Sequence, residues 1–303
     1  MQRRYPARIV PNYSPLSAPE RGSIVHTPAL KQVVLGDLTF AVQDEGDGPA
    51  VLLVHGFPDS HVLWRNQVPA LVAAGYRVIA PDLRGFGDSS KPVGVEHYGI
   101  LNLVGDVLGI LDSLGVQRAH VVGHDWGAAL SWVTAAFAPD RVDHLVAMSV
   151  GHPLAFSSVG FAQREKSWYM LLFQFEDIAE QWLSANDFAN FRAWSSHPDI
   201  DQVVANLARP GALTAGLNVY RANVHPRTWV EPPLAFPQVK ANTMGVWSSS
   251  DFALVEAGMT SSNRFVDGSW RYERIEGVGH WLQLEAADKL TALLLDFLPK
   301  PRQ

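Results

Sequence analysis

The chain has 303 residues, 47% of them hydrophobic, so it is long enough to bury one large core or a core with a smaller second domain. Its formal charge is −6, from 24 basic and 30 acidic side chains, and this balance argues against nucleic-acid binding. It contains no cysteine, which excludes disulfides, thiolate metal sites and a thiol nucleophile.

We predict that residues 1–34 form an extended arm at the start of the chain. The opening residues are basic, but no apolar run follows them, and Pro11, Pro15 and Pro19 interrupt the next stretch. The apolar runs elsewhere are shorter than a bilayer requires. We therefore expect no membrane span and a cytoplasmic protein.

Short apolar runs alternate with helical patterns over residues 35–151. The run Val51–Val54 is apolar throughout, which is typical of a strand buried on both faces. Strands are predicted at 38–42, 51–54, 78–80, 120–123 and 144–150, and helices at 63–74, 101–114 and 128–138. This alternation predicts an α/β fold with a mostly parallel central sheet and helices on both faces.

The strand pattern stops over residues 152–229, which are rich in tryptophan, phenylalanine, glutamine and helix-forming residues. This segment predicts a helical insertion. Residues 230–303 return to the core, with strands at 242–247 and 270–275 and a closing amphipathic helix at 282–298.

The stretch V-V-G-H-D-W-G-A-A-L, residues 121–130, has the pattern of a nucleophile elbow with Asp125 in the place of serine. Gly123 and Gly127 fit a turn in which a strand and a helix approach closely. Asp125 could instead cap the helix that begins at Trp126. A cap alone does not require both glycines, so we interpret Asp125 as a nucleophile.

Two later loops carry candidates for the partners of this nucleophile. His280 follows a predicted strand in G-V-G-H-W, the position of the general base in the chain order nucleophile, acid, base, although a lone histidine is more often structural. Asp251 follows the strand that ends near Trp247 and could orient the imidazole. It could also cap a helix in F-A-L-V-E.

The motif H-G-F-P begins at His55, directly after a buried strand. A glycine and a proline there can turn the chain so that backbone N–H groups face the site. The N–H groups of Phe57 and Trp126 would then form an oxyanion hole. The alternative is an ordinary Gly-Pro turn.

Together, H-G-F-P, D-L-R-G-F-G-D-S, G-H-D-W-G-A and G-V-G-H-W resemble the motifs of the α/β-hydrolase superfamily, and specifically of its epoxide hydrolases, from about Leu35 onward. The resemblance implies that the insertion is a cap over the active site and that two cap tyrosines bind the epoxide oxygen. Tyr169 stands four residues before the pair Phe173-Gln174, and Tyr220 stands in L-N-V-Y-R, where Val219 replaces the family's tryptophan. Either tyrosine could instead pack the cap on the core.

The resemblance implies that an apolar epoxide and water become a vicinal diol through an ester on Asp125, without a metal or an organic cofactor. The expected partners are thus a small epoxide and water. The expected pocket residues are His55, Phe57, Trp126, Trp168 and Phe173. The alternatives are a haloalkane dehalogenase with the same Asp-Trp pair and a non-catalytic ligand-binding protein. The sequence leaves open a monomer or a homodimer, and a role in detoxification or biosynthesis.

Overall fold

An eight-stranded sheet forms the centre of the protein in a computed structural model, which describes residues 29–231 and 235–301. The strands are β1 (Lys31–Leu35), β2 (Leu38–Glu45), β3 (Ala50–Val54), β4 (Arg77–Pro81), β5 (Ala119–His124), β6 (Val142–Met148), β7 (Asn242–Ser248) and β8 (Trp270–Ile275). Their spatial order is β1-β2-β4-β3-β5-β6-β7-β8. Strand β2 runs antiparallel to β1 and β4, and the other neighbouring strands are parallel. The mostly parallel sheet predicted from the sequence is thus confirmed.

The expected N-terminal arm lies largely outside the described residues, which begin at residue 29. Its last part forms β1, the edge strand that pairs with β2. Only one residue of β1, Val33, is buried, because the strand covers the edge of the sheet and not its centre.

Helices cover both faces of the sheet, as predicted. They are α1 (Gln67–Ala73), α2 (Ile100–Ser113), α3 (Trp126–Phe137), α10 (Glu256–Thr260), α11 (Leu282–Glu285) and α12 (Ala287–Phe297), numbered in chain order with the insertion's helices between α3 and α10. Successive residues of β3 face opposite cores: Leu52 packs with α2 and α3, and Val51 packs with α1 and α12. The closing helix expected at 282–298 is interrupted at Ala286, which has non-helical backbone angles.

The insertion between β6 and β7 is helical, as predicted. Its helices are α4 (Pro153–Ser158), α5 (Phe161–Lys166), α6 (Trp168–Leu172), α7 (Ile178–Ser195), α8 (Ile200–Leu207) and α9 (Ala212–Asn223). Helix α7 is kinked at Ala185–Phe188, where the backbone leaves the helical region. Among the described residues, no helix combines the length and apolarity that a bilayer crossing needs.

Candidate active site

Asp125 stands in a sharp turn between β5 and α3. Its φ is 53° and its ψ −123°, a conformation that costs a non-glycine residue energy and persists only where the surroundings hold it. Its side chain caps no N–H of α3 in the described chain. The helix-cap interpretation of Asp125 therefore finds no support in the geometry.

The glycines around Asp125 are required by close backbone contacts. A Cβ on Gly127 would collide with the carbonyl oxygen of Val54, and a Cβ on Gly123 would collide with the carbonyl of Gly127. A Cβ on Gly56 would collide with the carboxylate of Asp125. Strand β3, the elbow and α3 can meet this closely because these positions carry no side chain.

The H-G-F-P loop brings a backbone N–H group to the carboxylate. The N–H of Phe57 donates a hydrogen bond of 2.9 Å to Oδ1 of Asp125. Trp126 is the first residue of α3, where backbone N–H groups have no partner within the helix. The structure therefore places the Phe57 N–H on the Asp125 carboxylate, and Trp126 directly follows Asp125 at the start of α3.

His280 and Asp251 meet Asp125 although each comes from a different loop. Nδ1 of His280 lies 2.9 Å from Oδ2 of Asp251, and Nε2 of His280 lies 3.7 Å from Oδ2 of Asp125. The second oxygen of Asp251 accepts hydrogen bonds from the N–H groups of Ala253 and Leu254. One carboxylate thus holds the turn after β7 and contacts the imidazole.

The two carboxylates control the protonation of the buried imidazole. Burial alone would lower the pKa of His280, but the charges of Asp251 and Asp125 raise it to about 10. Burial would raise the pKa of Asp251, but the contacts with His280 and two backbone N–H groups lower it. At neutral pH, His280 therefore keeps its proton.

The two expected tyrosines come from different helices and face Asp125. Tyr169 lies in α6 and Tyr220 in α9, both are buried, and their ring centroids are 6.0 Å apart. Burial and the charge of Asp125 raise the pKa of both hydroxyl groups. Both therefore keep their protons at neutral pH and are able to donate hydrogen bonds.

These side chains surround one cavity of about 10 Å³, roughly the room for one water molecule. Its lining residues are Phe57, Pro58, Asp125, Tyr169, Trp194, Ser195, Tyr220, Phe252, Ala253, His280 and Trp281. Aromatic rings form most of the wall. The cap helices α6, α7 and α9 close the cavity above the sheet.

Four expected pocket residues lie away from this cavity. Trp126 is half-buried and packs edge-on against Tyr220, which does line it. His55 is fully buried beneath it, where Nε2 accepts a hydrogen bond of 3.0 Å from the N–H of Leu83. Phe173 is fully buried behind Phe57 and Tyr220. Trp168 is 48% exposed and packs edge-on against Trp182 on the outside of the cap. The expectation for these residues is corrected: His55 fixes the loop, Phe173 supports the wall and Trp168 faces solvent.

Several residues that line the cavity are absent from those expected from the sequence. Phe252 and Trp281 directly follow Asp251 and His280, so their position beyond the strand ends could have indicated them. Trp194 and Ser195 lie at the end of α7, and no motif marks them.

A buried carboxylate links the cap to the core beside this cavity, and no sequence motif marks it. Oδ2 of Asp59 accepts a hydrogen bond of 3.1 Å from the indole N–H of Trp281, and Oδ1 lies 3.1 Å from Nε2 of His197. Nδ1 of His197 accepts from the N–H of Asp199, so the proton of this imidazole lies on the nitrogen that faces Asp59.

Comparison with known proteins places these observations in a family. Residues 49–287 match the model of a family described as the alpha/beta hydrolase fold. The chain is 33% identical to epoxide hydrolase A of Mycobacterium tuberculosis (strain ATCC 25618 / H37Rv), over 84% of this chain and 91% of that protein. It is 30% identical to an epoxide hydrolase of Caballeronia sordidicola, over 88% and 92%.

Solved structures agree with these similarities. One of the novel epoxide hydrolases from metagenomes of hot environments superimposes with a TM-score of 0.82 at 30% identity, over 90% of this chain and 99% of that one. Epoxide hydrolase A from Mycobacterium thermoresistibile gives a TM-score of 0.75 at 29% identity, over 91% and 99%.

Proposed function

Because the chain belongs to the α/β-hydrolase superfamily as an epoxide hydrolase-like member, we propose that it converts an apolar epoxide and water into a vicinal diol. The proposed intermediate is an ester between the substrate and Asp125. The observation that carries the proposal is that Tyr169 and Tyr220 line the same cavity as Asp125. The predominantly aromatic wall suits an apolar substrate.

In the first step, Oδ2 of Asp125 attacks a carbon of the epoxide ring, and the C–O bond of that carbon breaks. A carboxylate is ionised at neutral pH and needs no base, which suits displacement at a saturated carbon. The hydrogen bond from the N–H of Phe57 holds the other oxygen, Oδ1. The leaving oxygen becomes an alkoxide, and Tyr169 and Tyr220 donate hydrogen bonds and a proton to it.

In the second step, water attacks the carbonyl carbon of the ester while His280 takes a proton from that water. The N–H groups of Phe57 and Trp126 stabilise the oxyanion of the tetrahedral intermediate. The intermediate then collapses, and the bond between the carbonyl carbon of Asp125 and the ester oxygen breaks. That oxygen takes the proton of the carboxyl group so formed, the diol leaves, and Asp125 is again a carboxylate beside protonated His280. Asp251 holds the imidazole by its contact with Nδ1.

The first step prepares His280 for the second. In the free enzyme two carboxylates raise the pKa of His280 to about 10, so the imidazole is charged and cannot act as a base. Esterification removes the charge of Asp125, so the pKa of His280 falls and the imidazole loses its proton. One proton also returns to the tyrosine that protonated the alkoxide, so this step needs no net proton. The base therefore becomes available when the ester forms.

Two other functions are less well supported by the site. A haloalkane dehalogenase commonly holds the halide with the tryptophan after the nucleophile and an Asn or Trp in the H-G-x-P segment. Phe57 occupies that second position and can donate only through its backbone N–H, which bonds Asp125. A non-catalytic binding protein has no need for Asp125 in a strained turn with His280 beside it. A cytoplasmic location and a role in detoxification stay predictions from the sequence.

The test measures diol formation from styrene oxide by the purified protein and by Asp125→Asn. Halide release from 1,2-dibromoethane is followed in parallel. Diol that disappears in the variant would support the proposal. Halide without diol would instead indicate a dehalogenase and contradict the role of the two tyrosines.

A further inference from the structure

One hydroxyl group in the cavity wall has no role in the mechanism above. Ser195 is the last residue of α7, is 1% exposed and lines the cavity beside Asp125. Its Oγ is buried and has no hydrogen-bond partner among the described residues. A buried polar group is normally paired, so this one requires an explanation.

Several hydroxyl groups on helices of this protein bond the carbonyl oxygen four residues earlier, a common arrangement for such a side chain. Ser131, Thr134 and Ser184 do so at 2.6–2.8 Å. Ser195 does not make this bond and instead lines the cavity.

We propose that the hydroxyl group of Ser195 binds an oxygen atom carried by the substrate next to its epoxide ring. The preferred substrates would then be epoxides with an ether or hydroxyl group on the adjacent carbon, as in glycidyl ethers. This inference rests on the proposed function and narrows its substrate class.

The surroundings of Ser195 favour a bond to the substrate. Its neighbours in the wall, Trp194, Phe252 and Trp281, are aromatic, and the indole N–H of Trp281 is engaged by Asp59. A serine hydroxyl both donates and accepts, so it suits an ether oxygen as well as a hydroxyl group. A site with an unpaired buried hydroxyl disfavours a ligand that leaves it unpaired.

The size of the cavity sets where the substrate's oxygen must lie. Asp125, the two tyrosines and Ser195 all line this one small cavity. A group bound by Ser195 therefore lies within a few bonds of the carbon that Asp125 attacks. An oxygen on the carbon next to the ring meets this condition, and one far along a chain does not.

The test uses two substrates of nearly equal shape. Phenyl glycidyl ether carries an oxygen where 1,2-epoxy-4-phenylbutane carries a methylene group. Diol formation gives kcat/KM for each, and the ratio of ether to hydrocarbon isolates the contribution of that oxygen. We expect the ratio to exceed one in the unmodified protein and to fall about tenfold in Ser195→Ala, the usual effect of losing one hydrogen bond of about 1.4 kcal/mol.

Ser184→Ala is the matched control. Ser184 lies on the same helix, is exposed and already bonds the carbonyl of Glu180, so its loss should leave the ratio and both rates unchanged. A ratio that Ser195→Ala does not change would overturn the inference. An equal loss for both substrates would also overturn it, because Ser195 would then act on the common chemistry. No diol from either substrate with the unmodified protein would refute the proposed function itself.

Discussion

Nε2 of His280 lies 3.7 Å from Oδ2 of Asp125, while its Nδ1 lies 2.9 Å from Oδ2 of Asp251. The imidazole thus stands between two carboxylates, and each favours its charged form. An imidazole with one acidic partner would be oriented equally well. Because Asp125 is the second carboxylate, the pKa of His280 depends on whether the side chain at position 125 carries a negative charge.

The first prediction concerns this dependence. In Asp125→Asn one of the two carboxylates is lost, so the pKa of His280 should fall from about 10 toward its ordinary value of 6.5. Titration of the imidazole by NMR measures the change. Asp296→Asn, which removes an exposed carboxylate at the surface, is the control and should leave the pKa where it was. An unchanged titration in Asp125→Asn would contradict the pairing.

Stability should follow the same titration. The folded-state pKa of His280 is raised above its unfolded value, so its contribution to stability is complete below pH 6.5 and is lost as the pH rises through about 10. In Asp125→Asn this loss should end at a lower pH. Urea denaturation between pH 6 and 10 gives the free energy of unfolding of the unmodified protein and of Asp125→Asn. The same dependence of that free energy on pH in both proteins would count against the prediction.

The second prediction separates the two chemical steps. In His280→Gln the nucleophile remains but the base is lost, so the ester should form and persist. Intact mass should show an adduct heavier by one styrene oxide, with diol formation reduced by at least about a thousandfold. The double variant with Asp125→Asn should show no adduct. Normal turnover by His280→Gln would rule out this order of steps.

The third prediction concerns the tyrosines. Tyr169→Phe or Tyr220→Phe alone should slow alkylation about 10- to 100-fold, because the remaining hydroxyl still stabilises the alkoxide. The double variant should nearly abolish it. Single-turnover measurements with styrene oxide follow this step. Tyr272→Phe is the control, since that hydroxyl bonds Glu256 in another part of the core. Full activity in the double variant would remove the main reason for preferring epoxides.

The fourth prediction concerns stability at the elbow. Gly127→Ala should lower the free energy of unfolding by about 2–4 kcal/mol, because the new Cβ would collide with the carbonyl oxygens of Val54 and His55. In Gly105→Ala the new Cβ would have no described atom within 4 Å. That exposed position in α2 should gain about 0.5–1 kcal/mol. Denaturant unfolding measures the free energy of unfolding of both variants. Similar changes in the two would argue against a steric requirement for glycine at position 127.

The sequence predicted the sheet well because its strands are buried and apolar. Val51–Val54 and residues 120–123 lie in strands as expected, since hydrophobic periodicity reports burial directly. The edge strand β1 escaped prediction because most of its side chains are exposed and follow no apolar pattern. The break at Ala286 in the closing helix carries no glycine or proline signal.

Sequence motifs indicated Asp251, His280 and the H-G-F-P loop because each directly follows a strand, where the chain must turn sharply. The cap offered less information. Trp168 was expected in the pocket for its size, but the direction of a side chain depends on how a short helix docks, and here it faces outward. Ser195 and the pair Asp59–His197 depend on contacts between distant segments, and local pattern does not report those.

The pairing of β6 with β7 has a consequence for how proteins with this architecture diversify. The two strands are hydrogen-bonded along their length although residues 149–241 separate them in the chain. The pairing of these strands therefore does not depend on the sequence of the insertion. The loops of the sheet carry Asp125, Asp251 and His280, whereas the insertion carries Tyr169, Tyr220 and Ser195. Exchanging the insertion alone would thus change the substrates accepted and leave the proposed nucleophile and base in place.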